Sequence, residues 1–233
     1  MPSSWTAADI PSQVGRTVVV TGANSGLGLV TARELSRAGA AVVLAVRDPS
    51  RGEQAAATMN GDVTVRRLDL ADLESVRALA ATWSGDLDDL NWQRRPYSAN
   101  GAYAQSKLAN LLFTLELQRR LAAAGSRVRA LGAHPGYAAT NLQGRSGSRL
   151  KDGAMKLGNR ILAQSDEGGA LPTLAAATRD LPGGSYVGPC GFQELRGNPT
   201  LVGRTPEASD PELARRLWEE SARLTGVDFP VAA

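Results

Sequence analysis

Two side chains four residues apart carry the most specific chemistry in this sequence. Tyr103 and Lys107 have the spacing that places both on one face of a helix. An ammonium group beside a phenol favours the phenolate form, so the pair suits the donation of a proton to a carbonyl or its removal from an alcohol. The same spacing also arises by chance. Its meaning therefore depends on the segments around it.

A glycine-rich segment at 21–28, with the sequence TGANSGLG, follows a run of β-branched residues and precedes a helical pattern. Glycines at such a turn permit positive φ and bring backbone N–H groups close to a pyrophosphate at a helix N-terminus. The spacing is Gly-x-x-x-Gly-x-Gly rather than the common Gly-x-Gly-x-x-Gly, and a purely structural tight loop is the alternative. Its place at the first strand-to-helix turn favours a nucleotide site. The candidate contacts are Gly22, Asn24, Ser25, Gly26, Leu27 and Gly28.

Residues after the next two predicted strands bear on the identity of the nucleotide. In an open α/β sheet the second strand ends beside the adenosine ribose. Arg47 suits a 2′-phosphate and favours NADP, whereas Asp48 suits free ribose hydroxyls and leaves NAD possible. Asp69, followed by Leu70, is a candidate contact for the adenine, and the alternative is that Asp69 caps the next helix.

A Pro-Gly pair follows a later strand pattern. Pro135 and Gly136 place a rigid turn at the carboxyl end of a strand, where open α/β sheets bind ligands. Thr140 is a candidate hydrogen-bond partner for a carboxamide or a phosphate. His134 is the single histidine, and we expect it to be hydrogen-bonded support rather than a reacting group.

The elements that position these residues alternate between strand and helix. Apolar and β-branched runs predict strands at 15–21, 41–46, 63–68, 128–133 and 185–188. Helical spacing predicts helices at 29–39, 51–59, 72–83, 102–124, 166–178 and 211–225. The alternation predicts an α/β fold with a doubly wound parallel sheet and right-handed crossovers. One domain over 1–233 is expected at this length.

The composition excludes several classes of protein. One cysteine and one histidine cannot form a His/Cys metal cage, so no metal site is predicted. The net charge of +3 is scattered along the chain and forms no basic stripe for a nucleic acid. No apolar run approaches the roughly 18 residues of a spanning helix, which predicts no membrane span. The first residues lack a signal-peptide pattern, which predicts a cytoplasmic location.

The sequence resembles the short-chain dehydrogenase/reductase family, in its retinol-dehydrogenase-like branch of NADP-linked enzymes. The matching segments are VVVTGANSGLG (18–28), AVRDPSRGEQA (45–55), LDLADLESVR (68–77), YAQSKLANLLF (103–113) and HPGYAATNL (134–142). The resemblance implies a seven-stranded Rossmann fold and a small-molecule alcohol, aldehyde or ketone as substrate. It also implies that Tyr103 is the general acid and base, that Lys107 binds the nicotinamide ribose, and that Pro135, Gly136 and Thr140 hold the nicotinamide end. A homodimer is the assembly that the family's habit suggests.

The sequence departs from that family between residues 83 and 103. Family members have there a fourth strand ending in Asn-Asn-Ala-Gly, a helix with a catalytic Asn, and a fifth strand ending in the catalytic Ser. Only about twenty residues connect these points here, fewer than the roughly 30 of a βαβ unit, and no Asn-Asn-Ala-Gly occurs. Ser98 and Asn100 lie on the approach to the Tyr103 helix, where we do not expect either to replace the missing serine.

This departure changes the predicted fold and opens the question of function. A Rossmann-type sheet reduced from seven strands to about five either closes again in the order 3-2-1-6-7 or leaves a slot of roughly 10 Å, and we predict re-closure. The family implies an NADP-dependent oxidoreductase that interconverts an alcohol and a carbonyl. The alternative is a catalytically impaired nucleotide-binding protein derived from that family. A methyltransferase-type Rossmann domain is a third hypothesis, but it leaves the Tyr-Lys pair and the Pro-Gly turn unexplained.

Overall fold

The structure, a computed structural model, describes residues 4–68, 96–136 and 165–226. The predicted helix at 72–83 lies outside these residues. The strands are β1 (Thr17–Thr21), β2 (Ala41–Val46), β3 (Val63–Arg67), β4 (Gly132–Ala133), β5 (Tyr186–Pro189) and β6 (Pro199–Leu201). The helices are α1 (Gly26–Arg37), α2 (Pro49–Ala56), α3 (Ala99–Ala123), α4 (Asp166–Thr178) and α5 (Pro211–Thr225).

The chain divides into two compact units that interleave along the sequence. The first unit is drawn from Met1–Leu68, Ala133–Asp180 and Val187–Val202. The second unit is drawn from Asp69–Gly132, Leu181–Tyr186 and Gly203–Ala233. The expectation of one domain over 1–233 stays a prediction.

The first sheet is parallel, with β2 between β1 and β3. The apolar run of β2 places Val42, Leu44 and Val46 in a buried core, together with Leu35 of α1 and Leu174 of α4. Parallel neighbours need crossover connections, which α1 and α2 supply here. The parallel order 3-2-1 of the first three strands is therefore confirmed.

Local sequence explains most of the observed element boundaries. The predicted bounds of β2, α4 and α5 are those of the structure. Helix α2 begins earlier than predicted because Asp48 accepts hydrogen bonds from the backbone N–H groups of Ser50 and Arg51, and Pro49 fits the first helical position.

The second sheet has the order β4-β5-β6 and contains two differences from prediction. The strand predicted at 128–133 is reduced to Gly132–Ala133. The Ala130 N–H donates to Oε1 of Gln118 rather than to a neighbouring strand, so no ladder forms there. Strand β6, antiparallel to β5, was not predicted because Pro199 resembles a turn residue, although an edge strand tolerates proline.

The predicted closure of one sheet in the order 3-2-1-6-7 is not observed. The described strands form two separate three-stranded sheets, and β1 pairs with β2 alone among them. The physical reason is the length of β4: a strand of two residues cannot supply the ladder that a five-residue neighbour needs. Every residue of β1 is accordingly exposed or half-buried, whereas β2 is largely buried.

In the second unit α3 and α5 pack through a small apolar core. Ala109 and Leu112 of α3 contact Ala214 and Leu217 of α5 in this core. None of the described helices combines the length and apolar composition that crossing a bilayer requires.

Glu116 of α3 is a buried carboxylate balanced by two arginines. Its oxygens accept two hydrogen bonds of 2.7 Å from the guanidinium of Arg119 and one of 2.8 Å from Nε of Arg120. The hydrogen bonds, those of Arg119 foremost, outweigh the effect of burial and hold the pKa of Glu116 below its usual range. The carboxylate is therefore ionised in the folded chain at neutral pH.

Replacing Glu116 with Gln is expected to lower the free energy of unfolding by about 1–2 kcal/mol at pH 7, because charged hydrogen bonds to partly hydrated arginines are lost. Because the folded-state pKa is lowered, this stabilisation is present above the unfolded-state pKa and is lost as the pH falls through the folded-state pKa. Urea unfolding at pH 7 and pH 3 measures both effects. The exposed Glu212→Gln variant, whose partner is Arg215, is the control. A difference from wild type that stays equal at both pH values would contradict this account.

Candidate nucleotide-binding and active site

The glycine loop joins β1 to α1 along a path that its glycines permit. Gly22 and Gly26 have φ of 65° and 56°, in the left-handed region that side chains disfavour. A Cβ at either position would meet no heavy atom within 4 Å, so both face open space. The Gly22 N–H donates to the carbonyl oxygen of Ala45 in β2 at 3.0 Å, which fixes the start of the loop against the sheet.

Gly28 is needed for close packing rather than for its backbone conformation. A Cβ on Gly28 would lie 2.5 Å from the carbonyl oxygen of Gly22 and 3.2 Å from Cα of Ala23. The first turn of α1 therefore packs directly on the backbone of the loop, and Ala23 is fully buried. A dinucleotide loop uses its third glycine for such packing of the helix.

The N-terminus of α1 is available to an anion. Ser25 is the N-cap residue, and its side chain makes no capping hydrogen bond. The first N–H groups of a helix carry partial positive charge and need an acceptor. The Leu27 side chain packs against the core, so Leu27 offers a ligand its backbone rather than its side chain. The Asn24 side chain is half-buried. A pyrophosphate thus fits the open space and the free donors of this loop.

The end of β2 presents an exposed arginine and a carboxylate that already accepts hydrogen bonds. Arg47 is exposed, and its guanidinium has no hydrogen bond or ion pair with the residues that the structure describes. Asp48 accepts hydrogen bonds from the Ser50 hydroxyl at 2.7 Å and from the Ser50 N–H at 3.0 Å. The Ser50 hydroxyl, more than the backbone N–H groups beside it, holds the pKa of Asp48 below its usual range.

Three predicted cofactor contacts lie outside the described residues. They are Asp69, Leu70 and Thr140. Their roles stay predictions.

Tyr103 and Lys107 lie on α3 in the second unit, on one face as their spacing predicts. Lys107 Nζ lies over the Tyr103 ring, 5.2 Å from its centroid. Tyr103 is 64% exposed, and its hydroxyl has no hydrogen-bond partner within the described ranges. The phenol is therefore accessible to a ligand and has a cation beside it.

Ser98 is the N-cap residue of the same helix. Its Oγ accepts a hydrogen bond from the Gly101 N–H at 3.3 Å, which caps α3. A hydroxyl held there stabilises the helix end, in keeping with our expectation that Ser98 does not replace the missing serine.

The Pro135–Gly136 turn follows β4 in the first unit and packs on the loop between β5 and β6. Gly136 has a φ of 67°, and a Cβ there would lie 2.5 Å from the carbonyl oxygen of Leu195 and 2.7 Å from that of Glu194. His134 contacts the same loop, because its Nε2 lies 2.9 Å from Oε2 of Glu194. His134 Nδ1 accepts a hydrogen bond from the Gly136 N–H at 3.2 Å, so the side chain is hydrogen-bonded as the sequence analysis expected, and its supporting role stays a prediction.

The loop between β5 and β6 carries backbone strain at two positions. Gln193 and Glu194 have φ of 49° and 56°. The left-handed conformation costs a residue with a side chain about 1–2 kcal/mol, and such strain often marks a functional constraint. Sequence reasoning missed Glu194, because no motif at 190–198 marks it and its partner is sixty residues away.

The predicted site residues therefore fall into two groups. The glycine loop, Arg47 and the Pro135–Gly136 turn belong to the first unit. Tyr103 and Lys107 belong to the second unit. Each group is locally arranged for its predicted task.

The sequence matches a known family over its first strands and helices. A profile of the family described as short chain dehydrogenase matches residues 16–92. The chain is 35% identical to retinol dehydrogenase 13 of Homo sapiens, over 93% of this chain and 86% of the relative. The chain belongs to the short chain dehydrogenase family.

Further relatives specify the branch and the fold of this short chain dehydrogenase. Polyprenol dehydrogenase of Mus musculus is 30% identical over 93% of this chain and 86% of its own length. The crystal structure of an uncharacterized protein from Mycobacterium paratuberculosis is 42% identical and superposes with a TM-score of 0.79, over 98% of this chain and all of the other. The retinol-dehydrogenase-like branch and the Rossmann-type α/β fold are thereby confirmed.

The alignment with the human relative also measures what this chain lacks. It extends over 296 residues, whereas 93% of 233 residues is about 217. About 79 aligned positions therefore have no counterpart in this short chain dehydrogenase. A deficit of that size exceeds the roughly 30 residues of the βαβ unit that the sequence analysis found missing.

Proposed function

We propose that this short chain dehydrogenase binds NADP(H) through its first unit and interconverts an alcohol and a carbonyl with Tyr103 as the proton donor and acceptor. The observation that carries the proposal is the glycine loop. Its two left-handed glycines border open space, Gly28 lets α1 pack on the loop, and the helix N-terminus has no side-chain cap. These are the features by which a loop accepts a pyrophosphate.

The preference for NADP over NAD is supported by the two residues that end β2. A ribose 2′-phosphate needs a cation, and the exposed Arg47 has a guanidinium without a partner in the described structure. NAD needs a carboxylate for the ribose hydroxyls, and Asp48 is held at the start of α2 by Ser50 and Arg51. The geometry therefore favours the phosphorylated cofactor.

In the proposed reaction, NADP(H) when bound supplies or accepts the hydride. The Tyr103 hydroxyl then gives a proton to the carbonyl oxygen or takes it from the alcohol oxygen. Lys107, over the Tyr103 ring, contributes the positive charge that favours the phenolate. The Pro135–Gly136 turn is proposed to hold the nicotinamide end.

The names of the relatives suggest the substrates with which to start. Retinol dehydrogenase 13 and polyprenol dehydrogenase are both named for a lipophilic alcohol. We propose a lipophilic primary alcohol or its aldehyde for this chain. Retinol, a short polyprenol and a series of medium-chain aldehydes form a suitable panel.

A second candidate function is NADP(H) binding without turnover. The observation that favours it is Ser98, whose hydroxyl oxygen caps α3 and which we do not expect to replace the family's serine. Loss of one hydrogen-bond donor that polarises a reacting carbonyl typically lowers the rate by about 10²–10³-fold. A chain with an intact nucleotide loop and no such donor would bind the cofactor and turn over slowly or not at all.

The two functions are separated by calorimetric titration with NADPH, followed by an NADPH-oxidation assay on the aldehyde panel. Binding together with turnover supports the oxidoreductase. Binding without turnover supports the second candidate. Absence of NADPH binding contradicts both.

Replacing Arg47 with Ala is expected to weaken NADPH binding by about 10- to 100-fold and to leave NADH binding within about twofold. A charged hydrogen bond to the 2′-phosphate is worth about 1.5–3 kcal/mol, and NADH has no such phosphate. Arg223→Ala is a charge-matched control, since Arg223 pairs with Glu220 on the surface of α5. Equal weakening of both cofactors in the Arg47→Ala variant would refute a 2′-phosphate contact.

A further inference from the structure

The end of β4 is held by two hydrogen bonds of His134, and the ring of this residue also lies beside a carboxylate. Its backbone N–H donates to the carbonyl oxygen of Val187 in β5 at 2.9 Å. Its Nδ1 accepts a hydrogen bond from the Gly136 N–H at 3.2 Å. Its Nε2 lies 2.9 Å from Oε2 of Glu194. The ring thus links the strand end, the Pro-Gly turn and the loop between β5 and β6.

These contacts determine which nitrogen carries the proton. Because Nδ1 accepts from the Gly136 N–H, the neutral ring must carry its hydrogen on Nε2. The Glu194 carboxylate lies 2.9 Å from that nitrogen and places a negative charge beside it.

Gly188 and Gly136 allow the imidazole ring and the turn to pack closely on backbone atoms. A Cβ on Gly188 would lie 2.0 Å from His134 Nε2, so the imidazole lies directly against the backbone of β5. Gly136 in turn contacts the carbonyl oxygens of Glu194 and Leu195. The ring and the turn are therefore packed from two sides, and Glu194 beside them has a φ of 56°.

We propose that His134 is a positioning residue for the nicotinamide end of the cofactor. Its Nδ1 fixes the Pro135–Gly136 turn by accepting a hydrogen bond from the Gly136 N–H. The inference rests on the proposed function, because it assigns the turn to the nicotinamide half of NADP(H). His134 itself contacts neither the substrate nor the reacting atoms.

Two conservative variants separate the two nitrogens of the ring. In His134→Asn the side-chain oxygen takes the place of Nδ1 and retains an acceptor for Gly136. In His134→Gln the amide takes the place of Nε2 and leaves the Gly136 N–H without its acceptor. Glu194→Ala removes the carboxylate beside Nε2 at a partly exposed loop position and is the control, since the Nδ1 contact remains.

Isothermal titration calorimetry of the full chain with two ligands is the test. NADPH engages both halves of the site, whereas adenosine 2′,5′-bisphosphate has the 2′-phosphate and adenosine but no nicotinamide. We expect His134→Gln to weaken NADPH binding about fivefold, the worth of one hydrogen bond. We expect His134→Asn and Glu194→Ala to bind NADPH within about twofold of wild type. None of the three should change the affinity for the bisphosphate.

The outcomes distinguish this inference from the proposed function. Wild-type chain that binds neither ligand would overturn the proposed function. Wild-type chain that binds both ligands, with His134→Gln at wild-type affinity for NADPH, would overturn the positioning role alone. Parallel weakening of both ligands would show a general structural role, and equal NADPH losses in His134→Asn and His134→Gln would refute the assignment to Nδ1.

Discussion

Tyr103→Phe is expected to lower the turnover of aldehyde or alcohol substrates by about 10²–10⁴-fold, while NADPH binding stays within about twofold. The substitution removes one oxygen, and with it the proton that the substrate oxygen gains or loses. The ring remains, so the contact of Lys107 with its face remains as well. The side chain is 64% exposed, and the free energy of unfolding should therefore change by less than about 0.5 kcal/mol.

The measurement is the initial rate of NADPH oxidation on the aldehyde panel, at saturating cofactor, for wild type and variant. Tyr97→Phe is the matched control, because Tyr97 is a similarly exposed tyrosine six residues earlier. Its rate should stay within twofold of wild type. A Tyr103→Phe enzyme with unchanged turnover would remove the phenol from the mechanism.

Gly28→Ala is expected to weaken NADPH binding by more than about 100-fold and to destabilise the first unit by about 1–3 kcal/mol. The added Cβ would lie 2.5 Å from the carbonyl oxygen of Gly22, which is backbone and cannot rotate away. Overpacking of this kind shifts the backbone, and here the backbone that shifts is the proposed pyrophosphate cradle. Both the fold and the binding site should respond to a single methyl group.

NADPH titration and thermal unfolding of the Gly28→Ala chain measure the two effects. Gly203→Ala is the control, since a Cβ there meets nothing within 4 Å and its φ is not in the left-handed region. That variant should match wild type in both measurements. Normal NADPH affinity in a folded Gly28→Ala chain would contradict the assignment of this loop to the pyrophosphate.

Features set by local sequence were predictable. Besides the glycine loop, the strand β2 and the helix α5 are examples. β2 is a short apolar run between turns, α5 has Asp210 and Pro211 at its start, and Gly226 follows its end with a φ of 67°. Each of these signals acts within a few residues, so their positions follow from periodicity, capping and backbone preference.

Features that depend on distant partners were not predictable to the same degree. The segment before β4 fits a strand pattern, but Gln118 takes the N–H of Ala130, and the strand is reduced to two residues. The order 3-2-1-6-7 is not observed among the described strands for the same reason, because it requires a longer strand than β4 provides. The His134–Glu194 contact depends on a loop conformation that no local pattern encodes.

The capping role of Asp48 constrains any redesign of this chain for the unphosphorylated cofactor. Rotating the Asp48 carboxylate toward a ribose would release the N–H groups of Ser50 and Arg51 and weaken the start of α2 by about 1 kcal/mol. A better course introduces the new acid at position 47, as Arg47→Asp, and leaves the cap in place. One substitution would then remove the cation proposed for the 2′-phosphate and supply an acceptor for the ribose hydroxyls, with the helix undisturbed.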